Sequence, residues 1–301
     1  MTPDLGPPID LLQPRAGWAP LVISSPHSGQ IYPPSLLVSL RLGLAELRCL
    51  EDGWVDRLFG CGPALGVPLL RARFARAYVD PNREAFELDP ELFRGPLPDY
   101  VNTTSLKARA GLGTIPSRIG GRAIYRGPLD FAEAERRIRL AYWPYHQALQ
   151  DLLAKAGAQF GAVLLLDCHS MPSLAGNGSG RGSDARSDDT GPTIDVALGD
   201  RFGRSCAPRL VERAEGLLRR HGLTVARNRP YAGGHITARY GRPEAEVHAL
   251  QIEIRRSLFM DERTGRASVA LAELQEILRA TIAGLADTMV EEVLAKVRAA
   301  E

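Results

Sequence analysis

The stretch Val163-Leu164-Leu165-Leu166-Asp167-Cys168-His169-Ser170-Met171-Pro172-Ser173 runs four apolar residues straight into four side chains capable of chemistry. A short apolar run bounded by turn residues reads as a fully buried strand, the kind found in the middle of a parallel sheet. Three readings of its end compete: a metal ligand, a nucleophile beside its base, or hydrogen-bonded polar groups closing a strand. Successive strand residues point to opposite faces, so Cys168 should face the core when His169 faces away from it. Ser170 lies in no GxSxG turn, which leaves a serine nucleophile without support.

Outward from this strand, short apolar runs alternate with longer helical periodicities. Leu21–Ser25, Pro68–Arg71, Arg76–Val79, Ala162–Leu166, Thr193–Leu198, Thr224–Arg227 and Val247–Ile254 read as extended. Leu44–Phe59, Phe131–Ala156 (with a bend expected at Pro144), Ala207–His221 and Ser268–Val297 read as helices. The alternation predicts an α/β sheet covered by helices on both faces, in a single domain spanning 1–301. The Gly/Ser/Asp-rich stretch at 175–192 is expected to be a mobile loop.

The chain has 301 residues, 45% hydrophobic and 24% charged, and a net charge of +2 from 37 basic and 35 acidic side chains. That length buries roughly 75% of the unfolded surface, so folding needs no metal or disulfide, and a metal site would point to chemistry. The charge balance argues against nucleic acid or an acidic membrane as partner. Four cysteines without CxxC spacing and no signal-like N-terminus are expected of a reduced, cytoplasmic protein. The apolar runs are far shorter than the roughly 20 residues of a membrane span.

In open α/β sheets ligands lie beyond the carboxyl ends of the strands. Two such ends carry histidines, His27 in Pro26-His27-Ser28-Gly29 and His169. The strand His248–Arg255 places Gln251, Glu253 and Arg255 on one face by period two, opposite Leu250, Ile252 and Ile254. Two histidines with carboxylates nearby suit a catalytic zinc, which takes three protein ligands and keeps one position for water. Asp167 or a backbone carbonyl would orient a ligating ring, and Glu253 would serve as general base. In Arg76-Ala77-Tyr78-Val79-Asp80-Pro81-Asn82-Arg83, Asn82 and Arg83 suit a substrate carboxylate; turn chemistry explains the same residues equally well. His146 and His248 read as structural, and His221 as a helix C-terminal residue.

PHSG at 26–29, EDGWVDRLF at 51–59, RAYVDPNRE at 76–84, DCHSMPS at 167–173, RPYAGGHIT at 229–237 and ALQIEIRRSLFMDE at 249–262 together resemble the N-formylglutamate amidohydrolase family. The resemblance runs in order from about residue 15 to about 290. It implies a three-layer α/β fold related to zinc carboxypeptidases and aspartoacylase, with a mixed, mostly parallel sheet, and hydrolysis of N-formyl-L-glutamate to formate and glutamate in histidine degradation. It implies one divalent metal, zinc foremost, held by His27 and His169. Gln30 stands where the carboxypeptidase pattern has a glutamate ligand. The third ligand is therefore expected from Glu51-Asp52-Gly53-Trp54-Val55-Asp56, at Asp52, with Glu51 and Asp56 as alternatives. Glu253 would be the catalytic carboxylate and Arg76 the group polarising the scissile carbonyl. Asn82 and Arg83 would hold a substrate carboxylate. Arg255 and Arg239 are candidates for a second one, and Gly234 and His235 for further substrate contact. Two other readings remain: a metal hydrolase of a different N-acyl amino acid or peptide-like amide, and a non-catalytic binder of an acidic amino acid.

Overall fold

Val163–Met171 forms a nine-residue strand in which every side chain is buried. The computed structural model describes residues 5–15, 17–173 and 193–300; the segment expected to be a loop at 175–192 lies outside the described residues. In chain order the strands are β1 (Ile9–Leu12), β2 (Leu21–Ser25), β3 (Leu69–Ala72), β4 (Arg118–Ile119), β5 (Arg122–Ala123) and β6 (Val163–Met171). They continue with β7 (Val196–Gly199), β8 (Val225–Arg227), β9 (Val247–Arg255), β10 (Met260–Asp261) and β11 (Arg266–Ala267). Seven of them make one sheet in the order β1-β3-β2-β6-β9-β7-β8; β4 with β5 and β10 with β11 form separate pairs. β3, β2, β6 and β9 run parallel; β1 is antiparallel to β3, and β7 to β9. The mixed, mostly parallel sheet that the family resemblance implies is present.

Side-chain alternation along β6 sorts the two cores. Val163 and Leu165 pack with Tyr145, Leu149 and Leu152 of the helix Trp143–Phe160. Leu164, Leu166 and Cys168 pack on the other face with Leu250, Ile252 and Ile254 of β9, against the helices Pro208–Arg220 and Leu271–Ala300. Cys168 is thus a buried core residue, as the period of two requires, and burial pushes its thiol well above the usual range. No helix among the described residues is long and apolar enough to cross a membrane.

Three elements differ from the sequence reading. The helix expected over Leu44–Phe59 is interrupted: Leu44–Leu47 and Val55–Leu58 are helical, with a 3-10 turn at Arg48–Leu50 between them. The Asp52 N–H, which a continuous helix would pair four residues back, donates instead to the His27 carbonyl at 3.0 Å. Trp54 then takes a left-handed conformation, φ 69°, before the chain resumes its helix. The expected bend at Pro144 is instead a wider π-turn over Ile138–Tyr142, with Trp143 N–H bonded to Ile138 O. Widening the helix just ahead of a proline relieves the clash of its ring with the preceding turn. Arg76–Val79, expected to be extended, closes as a turn in which Tyr78 N–H donates to Ala75 O at 2.9 Å.

Leu166 lies fully buried midway along β6. Leu166→Ala should therefore lower the unfolding free energy by about 2–5 kcal/mol, seen in urea titrations as a lower midpoint at unchanged slope.

Candidate active site

Parallel register brings the polar strand ends side by side. β6 aligns with β2 so that Asp167 lies beside Ser24, and with β9 so that Asp167 lies beside Gln251 and His169 beside Glu253. His27 follows β2 by two residues, in PHSG. Gly29 passes so close to the Phe74 carbonyl that a Cβ there would lie 2.2 Å from its oxygen, which explains the glycine.

His27 Nδ1 and His169 Nδ1 face each other at 3.2 Å, and both face Asp52 Oδ2, at 3.2 and 3.0 Å. The outer ring nitrogens meet buried carboxylates: His27 Nε2 lies 2.7 Å from Asp80 Oδ1, and His169 Nε2 lies 3.0 Å from Asp167 Oδ2. A carboxylate at Nε2 holds the ring proton there and turns the Nδ1 lone pair inward. Three donor atoms therefore converge on one point. Donors about 2.0–2.1 Å from a tetrahedral ion stand about 3.3 Å apart, close to the three separations observed. The residues fit a metal ion.

Each anchoring group is itself held. Asp167 Oδ1 accepts from Ser24 Oγ at 3.0 Å, and Ser24 contacts the Tyr145 hydroxyl at 2.8 Å. Asp80 accepts from Arg76 Nε at 2.8 Å and from the Asn82 N–H at 2.8 Å. Burial would raise the Asp80 carboxyl, but the charges of Arg76, His27 and Arg83 hold it well below the usual range. Burial opposes ionisation of Asp52 too, and is outweighed by its bonds to His169 and His27. Burial would lower His169; the Asp167 charge and the bonds to Asp167 and Asp52 raise it instead.

Glu253 is 7% exposed. Burial pushes its carboxyl up to about 7, with His169 pulling down and Asp52 pushing up. Gln251 Nε2 donates to its Oε1 at 2.8 Å. A carboxylate poised near neutrality beside a metal-donor cluster has the proton affinity a general base needs.

The other expected residues divide. Asn82 is inside the cluster but engaged by protein: its Nδ2 lies 3.1 Å from His169 Nε2, and its Oδ1 accepts from the Ile236 N–H at 2.8 Å. Gly234 packs on that same amide, where a Cβ would come within 2.5 Å. Arg83 donates to the Leu112 and Asn82 carbonyls and lies 3.9 Å from Asp80. His235 lies 3.2 Å from the Tyr142 hydroxyl, and burial lowers its pKa to about 4. Arg239 stacks on Tyr240 and lines a cleft of about 520 Å³ with Arg139, Trp143 and His146. Arg255 pairs with Asp195, ahead of β7 and on the far side of β9 from β6. Of the alternatives to Asp52, Glu51 bonds to Tyr32 and Asp56 pairs with Arg71 at 2.6 Å. Asp80, Ser170 and Arg256, all in contact with the cluster, were not among the expected site residues. The signal for Asp80 was its place at the end of RAYVD; for Arg256 none was available, because strand parity favours its neighbour.

A model of the N-formylglutamate amidohydrolase family matches residues 19–260, a range that contains every cluster residue. The chain belongs to the N-formylglutamate amidohydrolase family. A Pseudomonas aeruginosa protein named N-formylglutamate deformylase is 32% identical over 286 residues, 93% of this chain and 96% of that protein. A Pseudomonas putida protein of the same name is 31% identical, covering 89% and 94%. The crystal structure of N-formylglutamate amidohydrolase from Ralstonia eutropha JMP134 superposes with a TM-score of 0.89 at 39% identity, covering 95% of this chain and 99% of that one. The gene product Atu2144 from Agrobacterium tumefaciens, at 20% identity and a TM-score of 0.61, shares the fold.

The raised carboxyl of this family member has a thermodynamic cost. In metal-free protein the folded state keeps the Glu253 proton up to pH about 7, whereas the unfolded chain releases it near 4.3. The associated stability is full below the unfolded value and lost as pH rises through about 7. Glu253→Gln should therefore stabilise the metal-free protein by up to roughly 3 kcal/mol at pH 8 and much less at pH 5, measured by urea unfolding at both pH values.

Proposed function

We propose that this chain hydrolyses N-formyl-L-glutamate to formate and L-glutamate, with a single divalent metal, zinc foremost, held by His27 Nδ1, His169 Nδ1 and Asp52 Oδ2. The observation that carries this reading is the convergence of those three donors beside Glu253, in a chain of the N-formylglutamate amidohydrolase family.

A zinc ion there would supply Lewis-acid polarisation of the formyl carbonyl and lower the pKa of water toward about 7. Glu253 takes a proton from the attacking water as the C–O bond forms. It then delivers that proton to the amine nitrogen as the C–N bond breaks. Burial raises the Glu253 carboxyl in the metal-free protein, which strengthens it as a proton acceptor. Arg76, whose Nε is fixed by Asp80, is assigned to stabilise the developing oxyanion. Substrate carboxylates are assigned to Arg83 and Arg239. Asn82 contributes by donating from Nδ2 to Asp167, the carboxylate behind His169, and by holding the Ile236 turn, rather than through its amide contacting substrate. Cys168, on the opposite face of β6, takes no part.

The test is formate release from N-formyl-L-glutamate, compared with N-formyl-L-aspartate and N-acetyl-L-glutamate. A strong chelator should abolish turnover and zinc should restore it; release unaffected by metal removal would end the metal reading. Preference for N-acetyl-L-glutamate would transfer the activity to another N-acyl amino acid. Glu253→Gln should lower kcat by about 10² to 10⁴-fold while substrate still binds, seen in equilibrium dialysis. Cys168→Ala should leave kcat and KM unchanged.

A further inference from the structure

The guanidinium of Arg256, in the 3-10 turn that follows β9, reaches back to the Glu51–Asp52 turn. Its Nε donates to Ser170 Oγ at 3.0 Å, and Nη1 to the Cys49 carbonyl at 3.3 Å. Nη2 donates to the Glu51 carbonyl at 2.7 Å and to Asp52 Oδ1 at 3.2 Å. Ser170 Oγ also donates to Asp52 Oδ1, at 3.0 Å. Oδ1 therefore has two donors outside the donor cluster, and Oδ2 alone faces the histidines.

A carboxylate has two equivalent oxygens and can turn about its terminal torsion to offer either one or both. Two hydrogen bonds on Oδ1, one of them charge-assisted, remove that freedom. The same guanidinium ties three parts of the site: the turn carrying Asp52, the end of β6 at Ser170, and the chain leaving β9 two residues after Glu253. The Arg256 side chain is 12% exposed and each of its three nitrogens has a protein acceptor, so it is built to hold protein rather than to bind substrate.

We propose that Arg256 and Ser170 clamp Asp52 as a one-oxygen metal ligand, which makes Arg256 a positioning residue that sets metal affinity. The proposal rests on the reading of His27, Asp52 and His169 as a metal centre. Without the clamp, Asp52 loses its orientation and the turn at 51–54 loses its tie to β9, while the histidines keep their carboxylate anchors.

The experiment measures zinc affinity of metal-stripped wild type, Arg256→Gln, Arg256→Lys and Ser170→Ala by competition with a chromophoric chelator. Circular dichroism checks the fold, and cobalt(II) spectra report the coordination. Arg256→Gln should bind zinc about 10–100-fold more weakly, Ser170→Ala should lose less, and Arg256→Lys should recover part of the loss. At saturating zinc, KM for N-formyl-L-glutamate should match wild type. Wild-type zinc affinity in folded Arg256→Gln overturns the clamp and leaves the metal reading intact. So does a raised KM with unchanged zinc affinity, which would make Arg256 a substrate-binding group. If Arg256→Gln does not fold, Ser170→Ala decides, since it removes one Oδ1 donor without removing a charge; wild-type affinity there overturns the proposal. A wild type that takes up no divalent ion overturns the metal reading and the clamp together.

Discussion

The site depends on two histidine rings anchored at Nε2 by buried carboxylates. Asp80 behind His27 and Asp167 behind His169 fix each ring's tautomer and its rotation. With the outer nitrogens engaged, the inner ones have nowhere to point but at each other and at Asp52. A pair of lone-pair nitrogens 3.2 Å apart is repulsive unless a proton or a cation lies between them. The anchors thus create a local demand for positive charge, and the fold holds that demand in place through Ser24, Tyr145, Arg76 and the Asn82 N–H.

The sheet supplies this arrangement because its central strands are parallel and end together. Three neighbouring strands, β2, β6 and β9, deliver Ser24, Asp167 and Gln251 in one row, and His169 and Glu253 in the next. Cores on both faces make the register stiff: a slip of one residue would turn Asp167 and His169 into the apolar layer that holds Leu166 and Cys168. The remaining donors come from turns that dock onto these strand ends. Such a concentration of buried charge opposes folding, and burial raises the Glu253 carboxyl.

The arginines illustrate how pattern and position part company. Period two correctly placed Gln251 and Glu253 on the polar face of β9, and extended to Arg255 it pointed at the same cavity. At the strand end the regular alternation stops; Arg255 pairs with Asp195, and Arg256 in the following turn reaches Asp52. Asn82 and Arg83 were legible as a polar pair after a turn. What they touch was not, because Gly234 approaches Asn82 from 152 residues away in the chain.

The sequence by itself determined the layered α/β class, the buried central strand and the inward-facing Cys168, because hydrophobic periodicity is a local property that burial enforces residue by residue. It also singled out His27, His169 and Glu253 as polar residues near strand ends, and the fold gathers His27 and His169 into one donor cluster with Glu253 in register beside His169. Only the tertiary structure decided which acidic residue completes the cluster. Glu51, Asp52 and Asp56 are alike in local pattern. A hydrogen bond from the Asp52 N–H to the His27 carbonyl breaks the expected helix, turns Asp52 inward and leaves Glu51 to Tyr32 and Asp56 to Arg71. That choice rests on contacts between segments far apart in sequence, and no local periodicity encodes it.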